Sequence, residues 1–392
     1  MEFIKKIGKS ENGSVTVYVV STLIVVLLVT TTIYIGLRNK TTTQIKQMDK
    51  INKEYSVTDT DMQEAYDKAI MGTLESVKGT ETTNTTVKDN LGNKVVVPAG
   101  FKVINPNDNV TNGIVVEDVS HSETAGSQFL WIPVGEVIKD SAGNKETITL
   151  SRYTFANDNV GTPIDKGSAK IESDFNSSYS HTEINTAPNG NKTAKENIES
   201  EESGFRKSVK DNRGYYIGRY EARDKDATET RTSSSNKTNQ LVCTANNYVY
   251  NYITQPKAAE LSRGMYSDSN FESDLMNSYA WDTAIVFLQK FDNRANKNSL
   301  KPYSGQTSLN DSLASQGTNN LTDASKQDVI CNVYDMASNC WELTTETSSD
   351  SDIPCTASGG CYNISDCYTS IRVKGCVSDS LGYVSFRSLL YM

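Results

Sequence analysis

The chain has 392 residues, of which 36% are hydrophobic, 22% charged and 8% aromatic, a length that suggests two or three structural units. Its 24 Gly and 8 Pro exclude a collagen-like chain, and a net charge of −9 lacks the basic footprint of a nucleic-acid binder. Only two histidines, His121 and His181, are present, too few to favour His-dependent zinc sites or Ser-His-Asp hydrolysis. Asn, Ser, Thr and Tyr are abundant, with 20 Tyr against 10 Phe, the palette of an exposed recognition surface.

Residues 1–14 form a short leader with Lys5, Lys6 and Lys9. From Val15 to Leu37 follow 23 residues without a charge, which as a helix would reach roughly 35 Å and cross a bilayer. The pattern predicts a single-pass transmembrane helix at 15–37 in the cell membrane, with the carboxy-terminal domain extracellular. The junction Asn12-Gly13-Ser14-Val15 resembles the amino end of pilin-like proteins, whose leaders are cut after the Gly. Those families carry Glu at the fifth mature position, where this chain has Tyr18. A plain membrane anchor and a pilin-like structural subunit are therefore both open.

Apolar Ile45, Met48, Ile51 and Tyr55 recur at helical spacing, and Thr60-Asp61-Met62-Gln63 reads as a capping box. Residues 38–88 are predicted as a helical stalk that ends in a Thr-rich linker from Gly79 to Val87. A β-rich segment follows at 89–126, with short runs at Val95–Val97, Phe101–Ile104 and Gly113–Val116 broken by Pro, Gly and Asn. The remainder, 127–392, reads as one domain. Within it, 157–213 is polar enough to be a surface insertion, and Asp274–Phe291 has helical periodicity.

Several ordered segments of this domain resemble the formylglycine-generating enzyme (sulfatase-modifying factor) family. They are Phe129-Leu130-Trp131-Ile132-Pro133-Val134-Gly135, Gly214-Tyr215-Tyr216-Ile217-Gly218-Arg219-Tyr220-Glu221, the run from Asn332 to Glu342, Gly359-Gly360-Cys361-Tyr362, and Ser385-Phe386-Arg387. The resemblance implies a C-type-lectin-type fold with irregular loops. With the anchor and stalk, the expected fold class is α+β. Trp131, Trp281 and Trp341 would form its framework, and Arg387 a structural ion pair with a partner the sequence does not name.

The family enzyme oxidises a cysteine with molecular oxygen, using copper held by two cysteines. Counted from the Gly-Gly, those positions here are Ile364 and Thr369, which offer no soft thiolate. Cys361 and Cys367 could supply only a shifted pair. Hence no catalytic residue and no copper are expected, and a sulfatase-modifying oxidase is the alternative function. The resemblance also implies structural calcium, with a carboxylate from Asp335 and backbone carbonyls from Ser338 and Cys340. A tight turn satisfied by its own Asp and Asn fits the same residues. Seven cysteines, an odd number at irregular spacing, argue against one fixed disulfide framework.

The tract Ser351–Arg387 is rich in Ser, Cys, Tyr, Gly and Asp and lacks Glu, Gln, Met and Trp. It resembles the variable region of proteins diversified by retroelements, in which mutagenesis of adenines yields such a residue set. The expected function is a membrane-anchored bacterial surface protein that binds an extracellular protein or glycan. Its contacts would be Tyr362, Asn363, Ser365, Asp366, Tyr368, Ser370, Arg372 and Ser380.

Overall fold

The computed structural model describes residues 71–150, 152, 181–183, 198–227, 233, 240–245, 248–291, 329–362, 369–370 and 372–392. The first strands are β1 (Gly72–Thr73), β2 (Thr85–Lys88), β3 (Lys94–Val97), β4 (Phe101–Val103), β5 (Val115–Asp118), β6 (Gln128–Pro133), β7 (Gly135–Ile138), β8 (Lys145–Ile148) and β9 (His181–Glu183). Helix α1 (Gly204–Asn212) leads into β10 (Gly214–Gly218), β11 (Arg223–Asp224) and β12 (Leu241–Val242). Helix α2 (Gln255–Arg263), β13 (Glu272–Leu275) and α3 (Ser278–Phe291) follow. The last strands are β14 (Val329–Ile330), β15 (Val333–Tyr334), β16 (Trp341–Ser348), β17 (Cys355–Ser358), β18 (Arg372–Gly375), β19 (Val384–Phe386) and β20 (Ser388–Tyr391).

The expected fold class is corrected by this architecture. The described residues are mostly β-sheet with three short helices, and no helix among them is long and apolar enough to cross a membrane. The predicted span at 15–37 lies outside the described residues. The membrane assignment and the single-pass localisation therefore have no support in the fold. The helical stalk is also corrected where it can be seen. Residues 71–88 contain β1, a single 3-10 turn at Leu74–Ser76, and β2. The segment read as a Thr-rich linker ends in β2, where Val87 is fully buried and pairs with Val95 of β3. A run of Thr and Val is β-branched and suits a strand as well as a linker.

A six-stranded sheet in the order β13-β20-β10-β6-β5-β4 organises the core. β10 lies between β6 and β20, with Tyr216 opposite both Trp131 and Leu390. All five of its residues are buried, the pattern of a strand covered on both faces. Successive side chains leave on opposite sides: the Tyr215 hydroxyl donates to the Ala280 carbonyl on α3 (2.7 Å), and the Tyr216 hydroxyl to the Val96 carbonyl on β3 (3.0 Å). Gly214 opens the strand because a Cβ there would stand 2.3 Å from the Trp131 ring. β5 pairs with β6 across the expected boundary at 126/127, so the β-rich segment and the following domain share one sheet.

The second large sheet runs β18-β17-β16-β19, with β9 also paired to β16. Every residue of β16 is buried. Arg387 is the single residue between β19 and β20, where the chain passes from one sheet to the other. Two boundaries differ from the sequence reading. Asp274 and Leu275 belong to β13, and α3 starts at Ser278 because the Asn277 side chain caps it, accepting from the Ala280 N–H at 2.9 Å. Of the insertion 157–213, the described carboxy-terminal part is not a surface loop: Ile198 and the α1 residues Phe205 and Val209 are buried.

Candidate functional site

Two buried charge networks flank β16 and fix what stands near the Ser351–Arg387 tract. The first surrounds the turn between β15 and β16. Asp335 and Asn339 both adopt φ of 61°, a left-handed conformation that Asp and Asn tolerate best. The Ser338 N–H donates to the Asp335 carbonyl at 3.3 Å. Glu221, beyond the end of β10, grips the turn: its carboxylate accepts from the Cys340 N–H at 3.0 Å and from the Asn339 side-chain amide. Arg387 closes the network, donating from Nε to Glu342 at 2.9 Å and from Nη2 at 2.5 Å. Its remaining contacts are the carbonyls of Gly218 (2.8 Å) and Tyr334 (2.9 Å).

All four ionisable groups of this network, Glu221, Asp335, Glu342 and Arg387, are buried. One guanidinium among three carboxylates leaves an excess of negative charge. Burial, and then the charges of Glu342 and Asp335, hold the Glu221 carboxyl well above the usual range, which favours its neutral form. The expected calcium ligands Asp335, Ser338 and Cys340 are thus brought into one turn. Hard oxygen donors are present, yet no group of three or more His, Cys, Asp or Glu side chains among the described residues is disposed to hold a metal ion. Glu221 already occupies itself with Asn339 and Cys340, so no calcium step enters the function proposed below.

The second network lies at the other end of β16. Arg372 on β18 pairs with Asp282 of α3 and, from Nε, with Glu346 of β16 at 2.7 Å. Arg152 reaches Glu346 at 3.1 Å and Glu199 at 3.2 Å. Beside them Glu183, on β9, accepts from the Ser278 N–H (2.7 Å) and the Thr345 hydroxyl (2.6 Å). Burial pushes Glu183 up to about 7, with Glu346 adding and Arg152 opposing. The folded chain therefore binds a proton that the unfolded chain, with a carboxyl near 4.5, has already lost. The contribution of this one group is full below pH 4.5 and is lost as pH rises to about 7, a change of roughly 3 kcal/mol. Melting temperature is expected to fall from pH 5 to pH 7.5, and Glu183→Gln to flatten part of that slope. An unchanged slope in Glu183→Gln would place the proton elsewhere.

Among the expected contact residues, Tyr362 and Ser380 are half-buried. Ser370 and Arg372 are buried, which corrects their reading as exposed contacts: Arg372 spends its guanidinium on Asp282 and Glu346. Asn363, Ser365, Asp366 and Tyr368 lie outside the described residues, as does Ile364 of the two positions that hold copper-binding cysteines in the enzyme family. The other, Thr369, is buried, and its carbonyl accepts from the Trp281 indole at 2.8 Å. Sequence reasoning did not single out Glu221, Glu342, Glu346, Asp282 or Glu183. The available signal was a carboxylate set inside an apolar run, as in Tyr220-Glu221, Trp341-Glu342 and Trp281-Asp282.

No family model matches the chain, and no curated protein or solved structure matches it. The likeness to formylglycine-generating enzymes rests on the quoted motifs.

Proposed function

We propose that the chain is a ligand-binding protein whose contacts come from the polar, tyrosine-bearing segment between β17 and β18, with a protein or a glycan as ligand. The observation that carries this reading is how firmly both flanks of the segment are held. On one side the Tyr362 N–H donates to the Asn339 carbonyl at 2.8 Å. On the other, the Thr369 carbonyl is bonded to Trp281 and Arg372 is paired with two buried carboxylates. Binding residues on a connection between rigid anchors are a common arrangement. Tyr offers broad contact at low entropic cost, and Ser and Asn adapt their hydrogen bonds. The residue set of Ser351–Arg387 further supports a surface diversified by adenine-directed mutagenesis.

The test is a screen of the purified chain against a glycan array and a displayed peptide library. Joint replacement of Tyr362, Asp366 and Tyr368 by Ser is expected to leave the melting temperature within a few degrees, at about 0.5 kcal/mol or less per site. The same change is expected to weaken any ligand found by at least roughly thirtyfold, since one aromatic anchor is worth about 2 kcal/mol or more. Equal binding by the triple variant would refute the assignment of the contacts.

A further inference from the structure

β16 and β17 are antiparallel, with Glu342 opposite Ser358 and Leu343 opposite Ala357. Continued towards the β15–β16 turn, that register would set Cys340 opposite Gly360. The Tyr362 N–H instead donates to the Asn339 carbonyl, a bond that pairs 339 with 362 and leaves one extra residue on the β17 side. Gly359, just past the last residue of β17, has φ of 86°, a left-handed conformation that glycine adopts without strain. A Cβ at Gly359 would lie 2.6 Å from the Met336 carbonyl, so the packing there depends on the glycine. The bond from Tyr362 to Asn339 brings the two segments together beyond the ends of β16 and β17, and Cys361 lies close enough for its charge to act on the Cys340 thiol.

Where two antiparallel segments are joined by backbone bonds, facing Cα atoms lie about 4.5–5.5 Å apart. That spacing falls inside the range of about 4.4–6.8 Å that a disulfide spans. Both side chains are buried, Cys340 at 1% and Cys361 at 2% exposure. From this geometry we propose that Cys340 and Cys361 are a redox pair that closes to a disulfide, locking the turn gripped by Glu221 to the residue before Tyr362.

In closing, the two S–H bonds are lost and one S–S bond forms. The two electrons and two protons pass to a disulfide oxidant such as oxidised glutathione, which leaves as two thiols. The surroundings favour the closed form. Burial, and then the charges of Glu221 and Cys361, hold the Cys340 thiol well above its usual range, so this site disfavours a thiolate but accepts a neutral disulfide. Once closed, the bond is shielded from attacking thiolates by the same burial. The proposal stands whether or not the adjoining segment binds a ligand.

The test uses the full chain, refolded in a reduced and oxidised glutathione buffer. It is then denatured without reductant, alkylated with iodoacetamide, digested and mapped by mass spectrometry. The expected result is a cross-linked peptide joining Cys340 to Cys361, lighter by two hydrogens than its reduced halves. It should be absent from Cys340→Ser and Cys361→Ser. The oxidised chain should melt several degrees higher than the reduced chain. Alkylation of both Cys340 and Cys361 in the oxidised wild-type chain would overturn the proposal, and so would a cross-link from either residue to Cys367 or another cysteine.

Discussion

Arg387→Ala is expected to lower the stability of the chain by about 3–5 kcal/mol, the usual consequence of removing one partner from a buried ion pair. The side chain is fully buried and makes two bonds to Glu342 and two to main-chain carbonyls. Its loss strands Glu342 in a site that already holds Glu221 and Asp335, so the local excess of negative charge grows. A domain stability of about 5–15 kcal/mol leaves little margin for such a change. Urea denaturation is the measurement. Arg387→Lys should recover only part of the loss, because an ammonium cannot reproduce the planar two-pronged bond to Glu342. A midpoint for Arg387→Ala close to that of the wild type would mean that the network contributes no net stability.

Arg372→Ala should be of similar size, about 3–5 kcal/mol, and it separates the sequence reading from the structural one. A contact residue on an exposed surface would lose affinity and leave the melt unchanged. The structure predicts the reverse order of events. Removal of the guanidinium takes away the cation shared by Asp282 and Glu346, and Arg152 remains for Glu346 only. Unfolding should therefore shift before any binding assay is run. An Arg372→Ala chain that melts like wild type would return this residue to the contact surface.

The parts of the fold legible in the sequence were those with strong local patterning. The short apolar runs at Val95–Val97, Phe101–Ile104 and Gly113–Val116 overlap β3, β4 and β5, and α3 follows its helical apolar spacing. Over 71–88 the stalk expectation fails because Thr and Val in short polar company fit a linker as well as a strand, and partners such as Val95 decide between them. Arg387 was marked as an ion-pair residue without a partner, since the pairing with Glu342 crosses 45 residues that no local spacing encodes. Arg372 was misplaced because composition alone put it among Ser, Tyr and Asp. Its burial goes with its pairing to Asp282, the one carboxylate on α3.

β20 lies downstream of the Ser351–Arg387 tract and sits between β13 and β10 inside the six-stranded sheet. Its partners Tyr216 and Ile217 are far away in sequence, so the sheet cannot close until the tract has been translated in frame. A frameshift or stop codon within the tract would remove an interior strand and expose two apolar edges, whereas a substitution would not. In-frame translation of the tract is thus a condition for closing the six-stranded sheet, because the strand that completes its interior comes after it.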